Sequence, residues 1–177
     1  VQAWYQGGTS VIDFTDTKNP TEIAFYDRGP IATPSSPNAL NLGGLWSTYW
    51  YNGGIFGTEI ARGFDTFALT PSEHLSANEI AAAQEWQVEE FNAQAQPRVE
   101  LAPSFNVVKA YRDQAVRSGN LSGKALAEVD KHIAQAEKLD ASNAAQRAVK
   151  AQLDNAAKKS GLPGSDLVKA LNDLANA

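Results

Sequence analysis

The sequence lacks cysteine and methionine altogether, and it contains only two histidines among 177 residues. The absence of cysteine excludes disulfides, thiol catalysis and cysteine-based zinc sites, and it leaves the redox compartment open. Because even an initiator methionine is missing, we expect a processed chain or an excised piece of a longer protein.

Long apolar runs and a surplus of basic residues are missing too. No apolar run approaches the ~18–20 residues that a membrane-spanning helix needs, so we expect no membrane span. The formal net charge is −5 and the pI is near 5.0. A nucleic-acid-binding domain usually carries a basic stripe, so we expect no nucleic-acid partner.

The residues that are present divide the chain in two. Residues 1–70 hold 12 of the 16 aromatic residues and 9 of the 13 glycines, whereas residues 71–177 hold 23 alanines. Aromatic residues with turn glycines favour β structure, and alanine-rich sequence favours helix. The predicted fold class is α+β: an N-terminal antiparallel β segment over 1–70, a capped junction helix over 71–97 and a C-terminal α-helical bundle over 98–177.

A short repeat lies within the β segment. Trp4-Tyr5-Gln6-Gly7-Gly8 returns as Trp50-Tyr51-Asn52-Gly53-Gly54, a shift of 46 residues. Repeats of about 40–50 residues with several short strands each are typical of propeller blades. The alternative is a generic antiparallel sheet in which the recurrence is a coincidence. The predicted strands are Thr9–Phe14, Thr21–Asp27, Leu45–Tyr51, Ile55–Ala61 and Phe64–Leu69, with a proline-rich loop over Gly29–Gly44.

The stretch Ser10–Asp16, followed by Asn19-Pro20 and Glu22–Ala24, resembles the blade repeat of LVIVD-type β-propeller proteins. In that family an apolar strand ends in Asp-x-Ser/Thr-Asp before a proline turn. The second copy of the repeat departs from this pattern, with Glu59 where the first has Asp13. The resemblance covers about residues 1–70 and implies the last one to two blades of a propeller from an exported bacterial protein. A propeller needs about four to eight blades. The resemblance therefore also implies that the remaining blades are partners of this chain, supplied by the same precursor or by a second chain.

The second part of the chain predicts helices. Thr70–Glu73 and Ser76–Glu79 both fit the capping-box pattern, and a helix from about Ala77 to Gln94 follows. Short loops between further helices favour an antiparallel bundle. This pattern, with Gly119-Asn120-Leu121-Ser122, resembles FIMAH-type helical domains appended to secreted bacterial proteins, which implies a tethering role. The four bundle helices are predicted at Ser104–Ser118, Gly123–Leu139, Asn143–Lys159 and Ser165–Ala175.

Motifs that carry chemistry are scarce. The sequence has no Gly-x-Ser-x-Gly element, no phosphate-binding Gly-Lys-Ser/Thr loop and no histidine pair at metal-ligand spacing. Asp13, Asp16 and Asp27 lack the alternation of a calcium loop, and Asp16 is expected to make an Asx turn. We therefore assign no catalytic, cofactor-binding or metal-binding residue, and we expect no cofactor.

Two sets of residues remain as candidate surfaces. Trp46, Tyr49, Trp50 and Tyr51 are a candidate binding surface for a carbohydrate or protein ligand, and packing between blades is the alternative role for them. Trp86 and His74 are candidate contacts between the two modules. The alternatives are that Trp86 rests on a neighbouring helix and that His74, next to Glu73, ligates a metal.

These observations predict a non-enzymatic binding or scaffold protein: the C-terminal fragment of a secreted or cell-surface, and thus extracytoplasmic, β-propeller with a helical tethering module. The alternative is part of a hydrolase- or lyase-like propeller enzyme whose catalytic residues lie mainly in the missing blades. Whether the full protein is an enzyme stays open at this point.

Overall fold

The computed structural model describes residues 1–31, 42–95 and 97–177, so part of the predicted loop Gly29–Gly44 lies outside the described residues. The fold of these ranges is α+β, as predicted, with two three-stranded antiparallel sheets and five α-helices. The strands are β1 Gln2–Ala3, β2 Thr9–Asp13, β3 Thr21–Tyr26, β4 Leu45–Tyr51, β5 Gly54–Glu59 and β6 Gly63–Phe67. The helices are α1 Ala77–Gln84, α2 Phe105–Arg117, α3 Gly123–Ala141, α4 Gln146–Ser160 and α5 Asp166–Ala175, and a 3-10 turn covers Ala93–Ala95.

Each sheet is a meander of consecutive strands, ordered β1-β2-β3 in the first and β4-β5-β6 in the second. The five predicted strands are confirmed, with ends shifted by at most two residues. The strands could be predicted because burial alternates along them. In β5, Ile55, Gly57 and Glu59 are buried, whereas Phe56 and Thr58 are not. A period of two places successive side chains on opposite faces of a sheet, one of which is buried.

The two copies of the Trp-Tyr-x-Gly-Gly repeat each form the first hairpin turn of their sheet, but the turns differ in length. In the second copy, Asn52 and Gly53, with φ of 45° and 86°, form a two-residue turn. Two adjacent positive φ angles are typical of the two-residue turns that match strand twist. In the first copy, the Trp4 N–H donates to the Gly8 carbonyl at 2.9 Å and leaves a three-residue loop between them. The repeat thus marks equivalent places in two sheets without giving them the same turn.

The two sheets meet where β4 begins. The Leu45 N–H donates to the Tyr5 carbonyl at 3.0 Å, and the Tyr5 ring packs edge-on against Trp46 with ring centroids 5.6 Å apart. At the far strands of the sheets, the rings of Tyr26 and Phe67 lie 4.7 Å apart. The sheets therefore contact each other through both their first and their last strands.

Helix α1 begins at the second predicted capping box. The Ser76 N–H donates to Glu79 Oε2 at 2.7 Å, and the Glu79 N–H donates to Ser76 Oγ at 3.1 Å. This exchange satisfies two of the N–H groups that the start of a helix leaves unpaired. The same carboxylate accepts two hydrogen bonds from the Arg117 guanidinium. Burial raises the pKa of Glu79, but these hydrogen bonds outweigh it and hold the pKa below its usual value.

Two expectations for the junction are wrong. The capping box predicted at Thr70 starts no helix, because Ser72 and Leu75 exchange backbone hydrogen bonds in a turn instead. Helix α1 ends at Gln84 and does not continue to Gln94. The backbone that follows is held by side chains of the β4–β5 turn, which a continuous helix with its own internal hydrogen bonds would not permit.

The four helices predicted after residue 103 are confirmed, with ends shifted by at most three residues. Their apolar residues recur at helical spacing and share one core. The largest shift is at the start of α4, because Asn143 has a φ of 54°, which an α-helix does not allow. Gly161 ends α4 with a φ of 68°, the left-handed conformation that glycine commonly adopts just after a helix. The largest fully buried side chains of this core are Val108, Leu121, Val129, Leu153, Leu167 and Leu171.

The chain divides into two compact units. Residues 1–75 and 83–99 form the β unit, and residues 76–82 and 100–177 form the helical unit. The predicted boundaries after residues 70 and 97 stay predictions, since compactness alone does not test independent folding. Within the described ranges, none of the helices has the length and apolar character needed to cross a membrane.

Candidate functional site

The four aromatic residues proposed as a binding surface all lie on β4. A bulge at Trp46 interrupts the pairing of β4 with β5, and Trp46 is 55% exposed. Beyond the bulge, Tyr49 and Tyr51 share one face of the sheet, whereas Trp50 lies on the other. Tyr49 is 44% exposed, and Trp50 and Tyr51 are partly buried. The structure therefore leaves two of the four aromatic side chains largely in solvent.

Further aromatic residues extend the Tyr49 face across the second sheet. Tyr49 is paired directly with Phe56 on β5. The ring centroid of Phe56 lies 6.4 Å from that of Tyr51 and 6.2 Å from that of Phe64 on β6. Phe64 is 62% exposed. One face of the second sheet thus carries aromatic side chains on all three strands.

A groove of about 390 Å³ opens at the end of β4. We call it the aromatic groove. This volume falls within the range of about 300–1,000 Å³ that is usual for ligand pockets, and aromatic walls with a few polar groups are typical of them. The described residues that line it are Tyr49, Trp50, Tyr51, Phe91, Asn92 and Gln94.

One wall of the aromatic groove is held in place by the β4–β5 turn. The Asn52 side-chain amide accepts from the Val88 N–H and donates to the Val88 carbonyl, each at 2.9 Å. The Tyr51 hydroxyl donates to the carbonyl oxygens of Val88 and Glu89, at 3.1 and 2.9 Å. These hydrogen bonds bring Phe91, three residues further on, to the end of β4. They also explain why α1 ends before this segment.

The buried face of the second sheet carries a carboxylate with a structural role. Glu59 accepts hydrogen bonds from the N–H groups of Gly44 and Ala61, both at 2.8 Å, and from the backbone and guanidinium of Arg62. Burial raises the pKa of Glu59, but these hydrogen bonds outweigh it and lower the pKa to about 2. Glu59 therefore joins the start of β4 to the β5–β6 turn.

Acidification should destabilise the β unit through Glu59. A lowered folded-state pKa means that the ionised carboxylate stabilises the fold fully above about pH 4.5, and that this stabilisation is lost as the pH falls through about 2. Urea unfolding followed by tryptophan fluorescence reports on the β unit, since Trp4, Trp46, Trp50 and Trp86 all lie in it. We expect stability to fall steadily over this pH interval.

The Glu59→Gln variant should be less stable than the unmodified chain at neutral pH and should lose much of this acid dependence. Glu73→Gln is the matched control, because the Glu73 side chain is 87% exposed. A Glu59→Gln variant that keeps the full pH slope between about pH 4.5 and about pH 2 would contradict the assignment.

The residues predicted to join the modules both lie in the β unit. The Trp86 ring packs edge-on against Phe91, with centroids 4.9 Å apart, and so supports the wall of the aromatic groove. His74 Nε2 lies 3.6 Å from Glu73 Oε1, and both side chains are exposed. Their role between modules stays a prediction.

The other polar residues singled out from the sequence have local roles. Asp16 forms the predicted Asx turn, since its carboxylate accepts from the Lys18 N–H at 3.0 Å. Asp13 and Asp27 likewise accept from the N–H two residues further along the chain. The His132 side chain on α3 is only 13% exposed, and its Nδ1 lies 2.7 Å from Gln152 Oε1. In the described ranges, no cluster of three or more histidine or acidic side chains is arranged to hold a metal ion.

A second cleft, of about 230 Å³, lies in the helical unit and is lined by charged pairs. Arg112 donates two hydrogen bonds to Asp130, at 2.8 and 2.6 Å, and Lys109 donates to Glu137 at 2.7 Å. Hydrogen bonds to Asp130 raise the pKa of Arg112 despite its partial burial. Because these charged side chains are already paired with one another, they are less available to bind an ionic ligand.

Sequence comparison and structure comparison add no relatives. The chain matches no protein-family model, no curated protein and no solved structure. The resemblance of residues 1–70 to LVIVD-type blades thus stays a prediction carried by the residues that were quoted for it.

The sequence predicted the aromatic residues of β4 but missed the other side of the groove. The Asn52-Gly53 dipeptide is a readable turn signal, yet nothing in it specifies that Asn52 binds the backbone 36 residues away. The helix predicted from about Ala77 to Gln94 included Phe91, Asn92 and Gln94. That prediction gave no reason to expect these residues to line a groove with β4.

Proposed function

We propose that this chain is a non-enzymatic binding protein and that its ligand binds in the aromatic groove. The observation that carries the proposal is the groove itself, which Tyr49, Trp50 and Tyr51 at the end of β4 line together with Phe91. Large aromatic side chains held in a pocket contribute much of the binding energy at many recognition sites. The hydrogen bonds from Asn52 support the proposal further, because a preformed wall lowers the entropy cost of binding.

We also propose that the β unit belongs to an LVIVD-type propeller, exported and acting outside the cytoplasm. Two consecutive antiparallel meanders, each with a copy of one repeat at its first hairpin turn, are consistent with blades. Strands β3 and β6 each lie at the edge of their sheet, where further strands can pair. The remaining blades would come from the same precursor or from a second chain, and the helical unit, as a bundle, would act as a tether. Sequencing of the gene upstream of Val1 tests this part, and an upstream region without blade repeats would refute it.

Ligand binding should depend on Tyr49. We expect a carbohydrate or peptide ligand to change the fluorescence of Trp50 and to bind the Tyr49→Ala variant about tenfold more weakly, because the truncated ring no longer covers the ligand. Fluorescence titration with a panel of oligosaccharides and peptides measures both effects.

Phe25→Ala is the matched control, because Phe25 is an aromatic residue that is 75% exposed on β3 and does not line the groove. If Tyr49→Ala and Phe25→Ala lose affinity to the same extent, the ligand binds elsewhere. The same conclusion follows if neither variant loses affinity.

A further inference from the structure

We infer that the ligand of the aromatic groove is an uncharged glycan. This inference rests on the proposed function and narrows it to one class of ligand. The described lining residues are four aromatic residues, one asparagine and one glutamine, and none of them carries a carboxylate, ammonium, guanidinium or imidazole group. An ionic ligand would lose hydration on entering such a groove without gaining an opposite charge.

The aromatic walls fit the apolar faces of sugar rings. A pyranose presents axial C–H groups on its faces and hydroxyl groups around its rim, so that it can lie against an aromatic ring while its rim remains hydrogen-bonded. Among the lining residues, Tyr49 is exposed, and Trp50 and Phe91 are partly buried. Aromatic side chains with a polar edge, such as tyrosine and tryptophan, suit a ligand that is apolar on one side and polar on the other.

The carboxamides fit the hydroxyl rim. Each amide offers both a donor and an acceptor, which matches a sugar hydroxyl that can act as either. Asn92 Oδ1 accepts from the Gln94 N–H at 3.1 Å, and this hydrogen bond orients the Asn92 amide. The few polar groups of a ligand pocket commonly fix the orientation of the ligand in this way.

The charges near the groove disfavour an anionic ligand. Glu89 and Glu90 immediately precede Phe91 and are exposed, so they repel uronic acids, sulfated sugars and phosphates. The buried acids of the second sheet, Glu59 and Asp65, do not line the groove. Each is paired with an arginine, Glu59 with Arg62 and Asp65 with Arg28, so their charges are already balanced.

An extended peptide is the strongest competing occupant. Strand β4 lies at the edge of its sheet, and peptides can extend a sheet by pairing with such an edge. A small organic cation is the other competitor, because aromatic rings attract cations. The arrangement of amides and the lack of a carboxylate in the lining favour the glycan over both.

The test is a titration of the whole chain, followed by tryptophan fluorescence and calorimetry. The probes are neutral hexasaccharides of β-linked glucose, β-linked N-acetylglucosamine, α-linked glucose and β-linked mannose. The comparison probes are hexagalacturonate, choline and an extended octapeptide of alternating valine and threonine. We expect at least one neutral hexasaccharide to bind at least about tenfold more tightly than every comparison probe.

Variants assign the binding to the groove. We expect Tyr49→Ala to weaken binding of the neutral hexasaccharide about tenfold, and Asn92→Ala about fivefold through the lost hydrogen bonds. Tyr49→Phe keeps the ring and should retain most of the affinity, which separates stacking from a folding defect. Phe25→Ala should bind as the unmodified chain does. Thermal unfolding of each variant gives an independent measure of folding.

The outcomes distinguish this inference from the proposed function. If hexagalacturonate, choline or the peptide binds with the Tyr49 dependence and no neutral hexasaccharide does, the groove is a binding site but the glycan inference is overturned. If a neutral hexasaccharide binds equally well to Tyr49→Ala, the inference is also overturned, because the site lies elsewhere. If none of the probes binds in a manner that depends on Tyr49, both the inference and the proposed function fail.

Discussion

Replacing Gly44 with alanine should destabilise the β unit by about 4 kcal/mol or more, which is at the upper end for a single substitution. Gly44 has a φ of 83°, and a Cβ on it would overlap the backbone carbonyl group of Tyr5. That carbonyl accepts the Leu45 N–H, the hydrogen bond that joins the two sheets. Neither backbone can move away without breaking this contact. The measurement is urea unfolding followed by tryptophan fluorescence.

Gly63→Ala is the control for Gly44→Ala. Gly63 has a φ of 102°, so its alanine variant also incurs backbone strain, but a Cβ there would meet nothing within 4 Å. We expect it to cost about 1–2 kcal/mol from strain alone. The difference between the two variants isolates the close approach of the sheets. Equal destabilisation of both would contradict the contact between Gly44 and Tyr5.

Replacing Leu153 with alanine should destabilise the helical unit by about 3 kcal/mol. Leu153 lies on α4, has no exposed surface and belongs to the core that the helices share. Removing its side chain loses the transfer free energy of the buried atoms and leaves a cavity, and such substitutions typically cost about 2–5 kcal/mol. Urea unfolding followed by circular dichroism at 222 nm measures the effect, since most helical residues lie in this unit.

Leu101→Ala is the matched control for Leu153→Ala, because Leu101 is 38% exposed in the segment that precedes α2. The same atoms are removed from a site that is partly in water, so we expect a change within about 0.5 kcal/mol. If the two variants unfold at the same urea concentration, Leu153 is not in a close-packed core.

The helices after residue 103 were predictable because each one combines local signals with a periodic apolar face. In α3, Leu126, Val129, Ile133 and Ala136 recur at spacings of three and four. The last three are buried in the core, and Leu126 packs against it. Glycines then mark the ends, as Gly161 does for α4. The start of α4 was less predictable, because the left-handed conformation of Asn143 depends on how the loop closes.

The end of α1 shows where local signals were insufficient. The residues after Gln84 have good helix propensity, but their backbone groups gain hydrogen bonds from Asn52 and Tyr51 across the β unit. Helix propensity contributes only tenths of a kcal/mol per residue, so a few specific tertiary contacts can override it. The sequence contains both partners and does not reveal that they meet.

The sequence by itself determined the α+β class, five of the six strands, the helices that form the helical core and the aromatic character of β4, because these follow from residue type and from periods of two or 3.6. Only the tertiary structure decided that Trp46 and Tyr49 are exposed, that Glu59 is buried and hydrogen-bonded, and that Phe91 faces the end of β4. Such properties depend on contacts between residues tens of positions apart. The free energy of those contacts is set by geometry that no local stretch of sequence contains.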